Sequence, residues 1–505
     1  MIFSSPPFFV FLALLLGALA LPFPRRARLG LLVVASCVFY AAWDWRYPGL
    51  LLTIGAINYL CAERIASTGL TSQRRLWLLF SLVSNLGILG WFKYFNFFAN
   101  NTNLILRPLG FSFPLLHILL PAGISFYTFQ IMGYTLDVYR KKQVPRRSLL
   151  EYALFATFFP SLISGPIVRG SVFFPQLLRG IGPTRERLIA GFSIFLQGLT
   201  KKMLIADRMA TIVNPIFTDP SLYSPYSIWC GVLAYAVQIY CDFSGYTDMA
   251  VGTAKMIGLD LPENFNMPFL AQNIAEFWQR WHISLSTWFR DYIFLPLAYA
   301  FSRKFERLHL SAWGETMAAY ATGTLITMLL IGLWHGASWN FILWGGMHGA
   351  ALALHRLWLR VRKGRRNMPA WTAWLLTQVF VLFAWVPFRS SGLIQTKVLL
   401  YKMLWFNVGG ARWSPAWLFY LMPLVLIGHA IGAAWGRPTP FPGLQRWIRR
   451  CVEAAGWTRT DNPVSGPCFI LHRITAVGTY VNSVWLLAIF YFSATDVNPF
   501  IYFKF

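Results

Sequence analysis

Uncharged apolar runs of roughly 20 residues recur along the chain, and this pattern constrains the fold more than any other feature. Clear examples are residues 76–92 and 371–388. Charged residues make up 12% of the 505 positions, where a soluble domain carries about 25%. The runs are continuous, whereas strands of a membrane β-barrel alternate apolar and polar residues. The sequence therefore predicts an all-α multi-pass membrane protein.

The domain organisation follows from the same runs, because no soluble domain, repeat or low-complexity segment interrupts them. We expect residues 1–505 to form a single membrane-embedded domain. Its parts would be N-terminal spans in 1–115, a core in 116–360 and C-terminal spans in 361–505. Counting by length gives roughly ten to thirteen membrane-associated helices.

The net charge of +26 would suggest nucleic acid as a partner if the protein were soluble. In this chain the Lys and Arg residues cluster between apolar runs, as they do in cytoplasmic loops of membrane proteins. We therefore expect anionic membrane lipids, and no nucleic acid, as the counter-charge. The six cysteines contain no CxxC pair, so neither a disulfide framework nor a metal site is indicated.

Basic loops also predict the orientation of the spans. The first apolar run, residues 8–21, is followed by Arg25, Arg26 and Arg28. That order is the reverse of a cleavable signal peptide and indicates a retained first span with its N-terminus outside. Alternating crossings at 29–43, 50–62, 76–92 and 115–138 then place residues 93–103 outside, and residues 496–505 would form a short outer tail.

Two histidines, each preceded by tryptophan, lie in this apolar chain at His282 and His335. On one continuous helix over 277–292, His282 and Ser286 would share a face. His335 follows an uncharged run and is flanked by Gly332 and Gly336, which allow close approach of a backbone or a ligand. A buried neutral imidazole can act as a general base. The alternative is that both histidines are structural and satisfied by helix–helix hydrogen bonds.

A polar cluster, residues 240–248, follows another apolar run and contains Asp242, Ser244 and Asp248. These side chains could pair with Arg280 or Arg290, or they could line a polar path through the protein. The alternative is a buried structural ion-pair network. Glu276 and Arg280 have the spacing of neighbours on one helix face.

A Pro-Gly pair at Pro121 and Gly123 precedes several hydroxyl side chains in residues 120–130. This order is compatible with a broken helix whose polar side chains face the protein interior. The alternative is an ordinary span that packs in a helix bundle.

Several motifs are missing from the sequence, and their absence narrows the function. The chain has no Walker lysine loop, no GxSxG elbow and no HExxH. His348 and His355 are seven residues apart but have no acidic or cysteine partner nearby, so we expect no metal site.

Five segments together resemble the membrane-bound O-acyltransferase family. They are residues 120–140, 242–248, 263–265, 277–292 and 333–340. Residues 277–292 contain the motifs Trp-His-Ile-Ser-Leu-Ser and Trp-Phe-Arg-Asp-Tyr, and residues 333–340 contain Trp-His-Gly. The resemblance is greatest to the bacterial branch that acts on alginate and teichoic acid. The terminal residues 499–505 are also similar to the alginate type, although Lys504 departs from the glutamine expected there.

The resemblance implies a helical vessel with central opposed funnels that meet at His335. His335 would be the general base, and the alternative is that it carries the acyl group transiently. His282 would orient the substrates. Substrate or tunnel-lining roles would fall to Asp242, Ser244, Asp248, Arg280, Ser286, Trp334 and Asn340. Acetyl-CoA would be the donor substrate, with no permanently bound cofactor. A basic face with Lys141, Lys142, Arg146, Arg147 and residues 356–366 suits such a phosphate-rich donor.

The resemblance also implies a bacterial inner-membrane enzyme that moves an acetyl group across the membrane. A periplasmic acetyltransferase partner would then pass the acetyl group to an exported polysaccharide such as alginate or cellulose. Two alternatives remain open from the sequence. One is D-alanyl transfer from a carrier protein to teichoic acid, and the other is a transporter of polymer or lipid without covalent chemistry.

Overall fold

The computed structural model is a helical protein. The structure describes residues 1–308, 311–363, 368–433, 458–459, 469–470 and 476–493. It also describes a few single positions between 443 and 450. Within these ranges, strand structure is restricted to β1 (Thr458–Arg459), which pairs antiparallel with β2 (Phe469–Ile470). The chain divides into two compact units, Met1–Phe195 with Tyr246–Pro262, and Leu196–Gly245 with the residues from Glu263 onward.

Ten helices occupy the first part of the chain, and short turns or Pro and Gly positions separate them. They are α1 (Pro6–Ala20), α2 (Arg25–Ala41), α3 (Tyr47–Ser67), α4 (Thr71–Leu89), α5 (Phe95–Leu106), α6 (Ile124–Tyr139), α7 (Leu149–Thr157), α8 (Phe159–Leu162), α9 (Gly170–Leu178) and α10 (Arg185–Leu199).

Eleven further described helices follow. They are α11 (Asp207–Thr218), α12 (Pro225–Ile257), α13 (Ile274–Arg280), α14 (Ile283–Phe289), α15 (Leu295–Phe305), α16 (Ala312–His335), α17 (Trp339–Val361), α18 (Ala370–Arg389), α19 (Leu393–Leu404), α20 (Leu418–Ala433) and α21 (Ala476–Phe492). Three π-helical segments join α4 to α5, α10 to α11 and α14 to α15, namely Gly90–Tyr94, Thr200–Ala206 and Arg290–Phe294.

Five helical stretches in the described part of the chain are long and apolar enough to cross a membrane. They are Tyr47–Ser67, Thr71–Leu109, Arg185–Thr218, Ala312–His335 and Ala370–Arg389. Shorter apolar helices, Pro6–Ala20 and Leu418–His429, accompany them. The helical, multi-pass character predicted from the apolar runs is confirmed.

The interior of the first unit contains a buried polar cluster that ties three helices together. Asn58 Oδ1 on α3 accepts hydrogen bonds from Ser81 Oγ at 2.6 Å and Asn85 Nδ2 at 2.9 Å, both on α4. Thr135 Oγ1 on α6 donates to the same oxygen at 3.2 Å. Such hydrogen bonds hold membrane helices together where apolar packing alone gives little preference for one neighbour.

Near Gly123 the structure has the start of a helix, and not a break within one, because residues 111–121 before it are not helical. Gly123 has a φ of 75°, and α6 begins at Ile124. A Cβ on Gly123 would lie 2.5 Å from the carbonyl oxygen of Leu162, so both the left-handed backbone and the contact require glycine. The side chains of Ser125 and Thr128 are buried, as the broken-helix prediction required.

Two predicted boundaries in this unit are wrong. Residues 93–103 are helical and continue α4 through the π segment into α5, so the helix does not end with the crossing predicted over 76–92. Residues 111–120 are not helical, so the span predicted over 115–138 begins at Ile124. Both errors have one cause, because asparagines of α5 hydrogen-bond to the extended segment. Asn96 pairs with the backbone of Leu116 at 2.8 and 2.9 Å.

Candidate active site

His335 is the last residue of α16, and a tight connection leads from it into α17. Gly336 has extended backbone, and Ser338 caps α17 by accepting a hydrogen bond from Asn340 N at 3.4 Å. A Cβ on Gly332 would collide with the carbonyl oxygen of Phe341, and one on Gly345 would collide with that of Met328. The two helices therefore pack backbone to backbone, which fixes where His335 emerges.

Aromatic rings surround the His335 side chain, which is 3% exposed. The ring centroids of Trp334, Trp344 and Phe388 each lie 5.0 Å from that of His335, and Phe341 lies at 6.4 Å. These rings come from α16, α17 and α18. An imidazole in such surroundings has little water with which to exchange protons, so a bound substrate can become its proton donor.

His282 lies between two helices rather than inside one, which corrects the prediction of a continuous helix over 277–292. Helix α13 ends at Arg280, and α14 begins at Ile283. His282 is the N-cap of α14, with a left-handed backbone at φ 44° and ψ 54°. It therefore does not share a helix face with Ser286, although Ser286 N donates to its carbonyl oxygen at 3.0 Å.

A buried asparagine orients the His282 ring. Nδ1 of His282 lies 3.1 Å from Oδ1 of Asn264. The same Oδ1 accepts from the backbone N–H of Ser284 at 3.2 Å and from its hydroxyl at 2.9 Å. Because the Ser284 N–H can only donate, it fixes Oδ1 as the acceptor, and Nδ1 of a neutral His282 must carry the hydrogen. The lone pair of the ring then lies on Nε2.

Trp334 lies between the two histidines. Its ring centroid is 6.0 Å from that of His282 and 5.0 Å from that of His335. His282 is also in edge-to-face contact with Phe243 of α12, at 4.7 Å. The structure thus brings His335, His282 and Trp334 together, three of the residues selected from the sequence.

Asp242 takes part in an ion pair with a lysine that the sequence interpretation did not select. Lys202 Nζ lies 2.8 Å from Asp242 Oδ1 and 2.8 Å from Asp207 Oδ1. Lys202 belongs to the π-helical segment between α10 and α11. All three side chains are buried, so this group matches the alternative of a structural ion-pair network. Ser244 follows on the same helix and is fully buried.

Asp248 belongs to the other compact unit, where it is fully buried. Arg280, by contrast, lies close to His282 in the chain and pairs with Glu276, as the spacing predicted. Its Nη2 is 2.7 Å from Glu276 Oε1, and its Nη1 donates to the carbonyl oxygen of Asn266 at 3.2 Å. With 1% exposure, Arg280 holds the segment before His282 in place.

Ser286 and Asn340 occupy different surroundings. Ser286 Oγ donates to the carbonyl oxygen of Trp281 at 3.2 Å, and the residue lines a cavity of about 150 Å³. Asn340 Nδ2 donates to the carbonyl oxygen of Ser390 at 2.8 Å. Its Oδ1 and the indole N–H of Trp344 are buried and have no hydrogen-bond partner among the described residues. These two atoms can bond to a substrate.

The cavity beside Ser286 follows one face of α16. Its remaining lining side chains come from α13, α14, α16, α17 and the π segment after α14: Trp278, Phe289, Arg290, Phe294, Tyr320, Thr324, Thr327, Met328, Ile331 and Leu352. Five of these lie on α16 at helical spacing, and His335 comes four residues after Ile331. Residues four apart are neighbours on a helix surface, so His335 continues the face that lines the cavity.

Comparison with known proteins identifies the family. The sequence model of the membrane-bound O-acyltransferase family matches residues 139–393, slightly more than half of the chain. A probable alginate O-acetylase from Azotobacter vinelandii is 36% identical over the full length of both chains. The chain belongs to the membrane-bound O-acyltransferase family. It is a multi-pass membrane O-acyltransferase. The family predicted from the resemblance is therefore confirmed, and the transporter alternative is not supported.

Two further relatives have other acceptors in their names. A peptidoglycan O-acetyltransferase from Helicobacter pylori is 37% identical over 74% of this chain and 73% of its own. A teichoic acid D-alanyltransferase from Bacillus subtilis is 32% identical over 53% of this chain and 68% of its own. The matched family region contains both histidines, Asn264 and Lys202.

Asn264 and Lys202 are the site residues that the sequence interpretation missed. Asn264 falls in the 263–265 segment that contributed to the resemblance, but nothing in its neighbours shows that it bonds to a residue 18 positions away. Lys202 follows Lys201 in an apolar stretch, which could have indicated a buried partner. The terminal segment 499–505, also part of the resemblance, lies outside the described residues.

Proposed function

We propose that this acyltransferase moves an acetyl group from a cytoplasmic thioester, acetyl-CoA, toward O-acetylation of an exported polysaccharide. The names of the acetylating relatives refer to alginate and to peptidoglycan, two polymers that contain sugars with free hydroxyl groups. The observation that carries the proposal is the position of His335, at the end of a cavity-lining helix face and inside an aromatic enclosure. That position suits a base that must meet two substrates away from water.

In the proposed reaction, the unprotonated nitrogen of His335 takes the proton of an acceptor hydroxyl as its oxygen attacks the thioester carbonyl. The new C–O bond forms, the C–S bond breaks, and the departing thiolate receives the proton from the imidazolium. No net proton is gained or lost by the protein. General base catalysis of this kind contributes about 10²- to 10⁴-fold to the rate.

His282 and the neighbouring polar atoms would hold the geometry. Nε2 of neutral His282 is an acceptor, because Asn264 holds the hydrogen on Nδ1. The unpartnered N–H of Trp344 is a donor beside the His335 ring. Donors and acceptors fixed before the substrate arrives need no rearrangement during the reaction.

The donor would approach along the cavity-lining face of α16. Tyr320 is 15 residues before His335, which corresponds to about 22 Å of helix. Arg356 of α17 lies over the Tyr320 ring at 5.6 Å, so this end of the face is basic. A basic approach favours the phosphate groups of acetyl-CoA. Positive loops face the cytoplasm, and we place the protein in the bacterial inner membrane with both termini outside.

The acetyl group would leave on the periplasmic side, to a secreted acetyltransferase partner that passes it to the polysaccharide. A hydroxyl of that partner and a hydroxyl of the polymer are chemically equivalent for His335. Cellulose and other exported glycans are acceptors of the same class.

The deciding experiment compares His335→Ala with His355→Ala, which changes the same residue type on α17 outside the aromatic enclosure. We expect His335→Ala to lower the ester-bound acetate of the exported polysaccharide by about 10²-fold or more, at an unchanged level of protein in the membrane. His355→Ala should leave the acetate content unchanged. Wild-type acetylation in the His335→Ala strain would refute the proposed role of this residue.

A second assay tests the donor. Membranes with the wild-type protein should release free thiol from acetyl-CoA when the acceptor system is present, and His335→Ala membranes should not. The alternative is D-alanyl transfer, which the Bacillus subtilis relative represents. Thiol release from a D-alanyl carrier protein, without release from acetyl-CoA, would replace the proposed donor with that one.

A further inference from the structure

A second cavity, of about 310 Å³, lies within the first compact unit, apart from the histidines. Its walls come from the start of α2, the connection between α9 and α10, and the residues after α12. Arginine and glycine are frequent in its lining, and the residues that carry the argument are Arg28, Arg179, Gly182, Arg187, Gly258 and Asp260. A cavity of this size reaches the lower range of small-molecule sites.

The backbone of this cavity is held in a defined conformation. Gly182 N donates to the carbonyl oxygen of Ile257 at 3.0 Å. Gly182 and Gly258 have φ values of 146° and 111°, and a Cβ on Gly258 would lie 3.0 Å from the nitrogen of Gly182. Glycine is therefore needed for the connection after α9 to meet the end of α12. The cavity is a built feature and not a gap between loosely packed loops.

The cavity has more positive than negative charge. Asp260 is the acid in its lining, and both carboxylate oxygens are paired. Oδ2 lies 3.1 Å from Arg187 Nη2, and Oδ1 lies 3.2 Å from Lys255 Nζ. Arg28 and Arg179 therefore add positive charge that Asp260 does not neutralise. An anion in the cavity would balance it.

Two guanidinium nitrogens in the cavity residues have no hydrogen-bond partner among the described residues. They are Nη1 of Arg187 and Nε of Arg28, and both atoms are buried. The Nη1 of Arg28 is occupied, because it donates to the carbonyl oxygen of Ile181 at 2.6 Å. A buried charged donor without an acceptor is unfavourable, because it has lost its hydrogen bonds to water. A phosphate group has several acceptor oxygens, which match the fork of donors on arginine.

We propose that this cavity binds the phosphate headgroup of an anionic membrane lipid. Two leucines near the cavity residues are exposed, Leu21 at 51% and Leu178 at 65%. Leu178 precedes Arg179, and Arg28 Nη2 donates to the carbonyl oxygen of Leu21 at 3.2 Å. In a membrane protein such leucines contact acyl chains, which puts the arginines at the level of the headgroups. The site is independent of the proposed acyl transfer.

The experiment measures binding of phosphatidylglycerol to the full-length purified protein by native mass spectrometry, with phosphatidylcholine as the neutral lipid. Arg179→Gln and Arg187→Gln should each weaken phosphatidylglycerol binding about tenfold, the loss expected for one charge-assisted hydrogen bond. The matched control is Arg26→Gln, an exposed arginine two residues from Arg28 that does not line the cavity. It should leave binding unchanged.

Arg187→Gln also breaks the ion pair with Asp260. Arg187→Lys therefore serves as a second variant, which retains the positive charge but lacks the paired N–H donors of the guanidinium group. It should bind phosphatidylglycerol more weakly than the wild type and more tightly than Arg187→Gln. Equal binding by the wild type, Arg179→Gln and Arg187→Lys would overturn the site.

Inorganic phosphate and ADP are the soluble probes. Tighter binding of either one than of phosphatidylglycerol, with the same arginine dependence, would overturn the assignment to a lipid.

Discussion

Nδ1 of His282 donates a hydrogen bond to Oδ1 of Asn264 over 3.1 Å, and this bond determines which ring nitrogen of His282 has the lone pair. The backbone N–H of Ser284 fixes the amide in that orientation. His282 itself adopts a left-handed backbone between two helices, a conformation that costs most non-glycine residues about 1 kcal/mol or more. The hydrogen bond to Asn264 and the interruption between α13 and α14 therefore act together to orient Nε2 in one direction.

Replacement of Asn264 tests this relationship. Asn264→Leu removes the oxygen that His282 and Ser284 share as an acceptor, and should cost about 1–3 kcal/mol of stability. We expect its acetyl transfer to fall about 10- to 100-fold, as when an orienting partner of a histidine is lost. Asn264→Asp retains an acceptor oxygen and should recover most of the activity. Steady-state rates at equal amounts of folded protein distinguish the two, and an equal loss in both would contradict the orienting role.

The close contact of α16 and α17 predicts different outcomes for two glycines. Gly332→Ala places a methyl group against the carbonyl oxygen of Phe341, so the helices must separate. Overpacking of this kind costs about 1–3 kcal/mol, and the displacement should reduce acetyl transfer because His335 is three residues away. Gly346→Ala is the control, since the nearest heavy atom to its Cβ would be at 3.7 Å. Thermal unfolding and activity should change in the first variant and remain near wild type in the second.

The cavity-lining face of α16 can be blocked without touching either histidine. Thr324→Phe fills part of the cavity of about 150 Å³ and should raise the KM for the acyl donor about tenfold. Leu330→Phe adds a ring at a position of the same helix that is 40% exposed and outside the cavity. Its KM should equal that of the wild type. A similar KM in all three proteins would show that the donor takes another route.

The buried ion pairs of Lys202 predict a large effect on stability. Lys202→Met leaves Asp207 and Asp242 buried without their lysine, and breaking a buried pair in this way costs about 3–5 kcal/mol. We expect a lower unfolding temperature in detergent and less protein in the membrane. The triple variant with Asp207→Asn and Asp242→Asn should recover much of this loss, because no uncompensated charge remains. If the single variant alone unfolds at the wild-type temperature, the pairs contribute little.

The apolar runs 320–333, 341–354 and 371–388 were sufficient to predict the central parts of α16, α17 and α18, because each run is free of Asp, Glu, Lys and Arg. The Trp-His-Gly motif also located His335 correctly at a helix end. These features depend on neighbours in sequence, which is the information that a single chain contains.

The remaining features depend on partners far away in the chain. The break at His282 needs Asn264, whose side chain and backbone both bond to the segment at its start. The predicted crossing ended at residue 92 because residues 93–103 are rich in asparagine, which favours turns. In the structure Asn103 instead pairs with the backbone of Phe113 at 2.7 and 2.9 Å. Tertiary hydrogen bonds of this kind leave no periodic pattern in the sequence.

The glycine contacts of the α16–α17 hairpin also bear on how the enzyme opens for its substrates. With backbone against backbone and no layer of side chains between, the hairpin has no room to slide or tilt internally. We therefore expect His335 and Trp344 to move together as one rigid piece when a substrate enters. Gating would then belong to the elements around the hairpin.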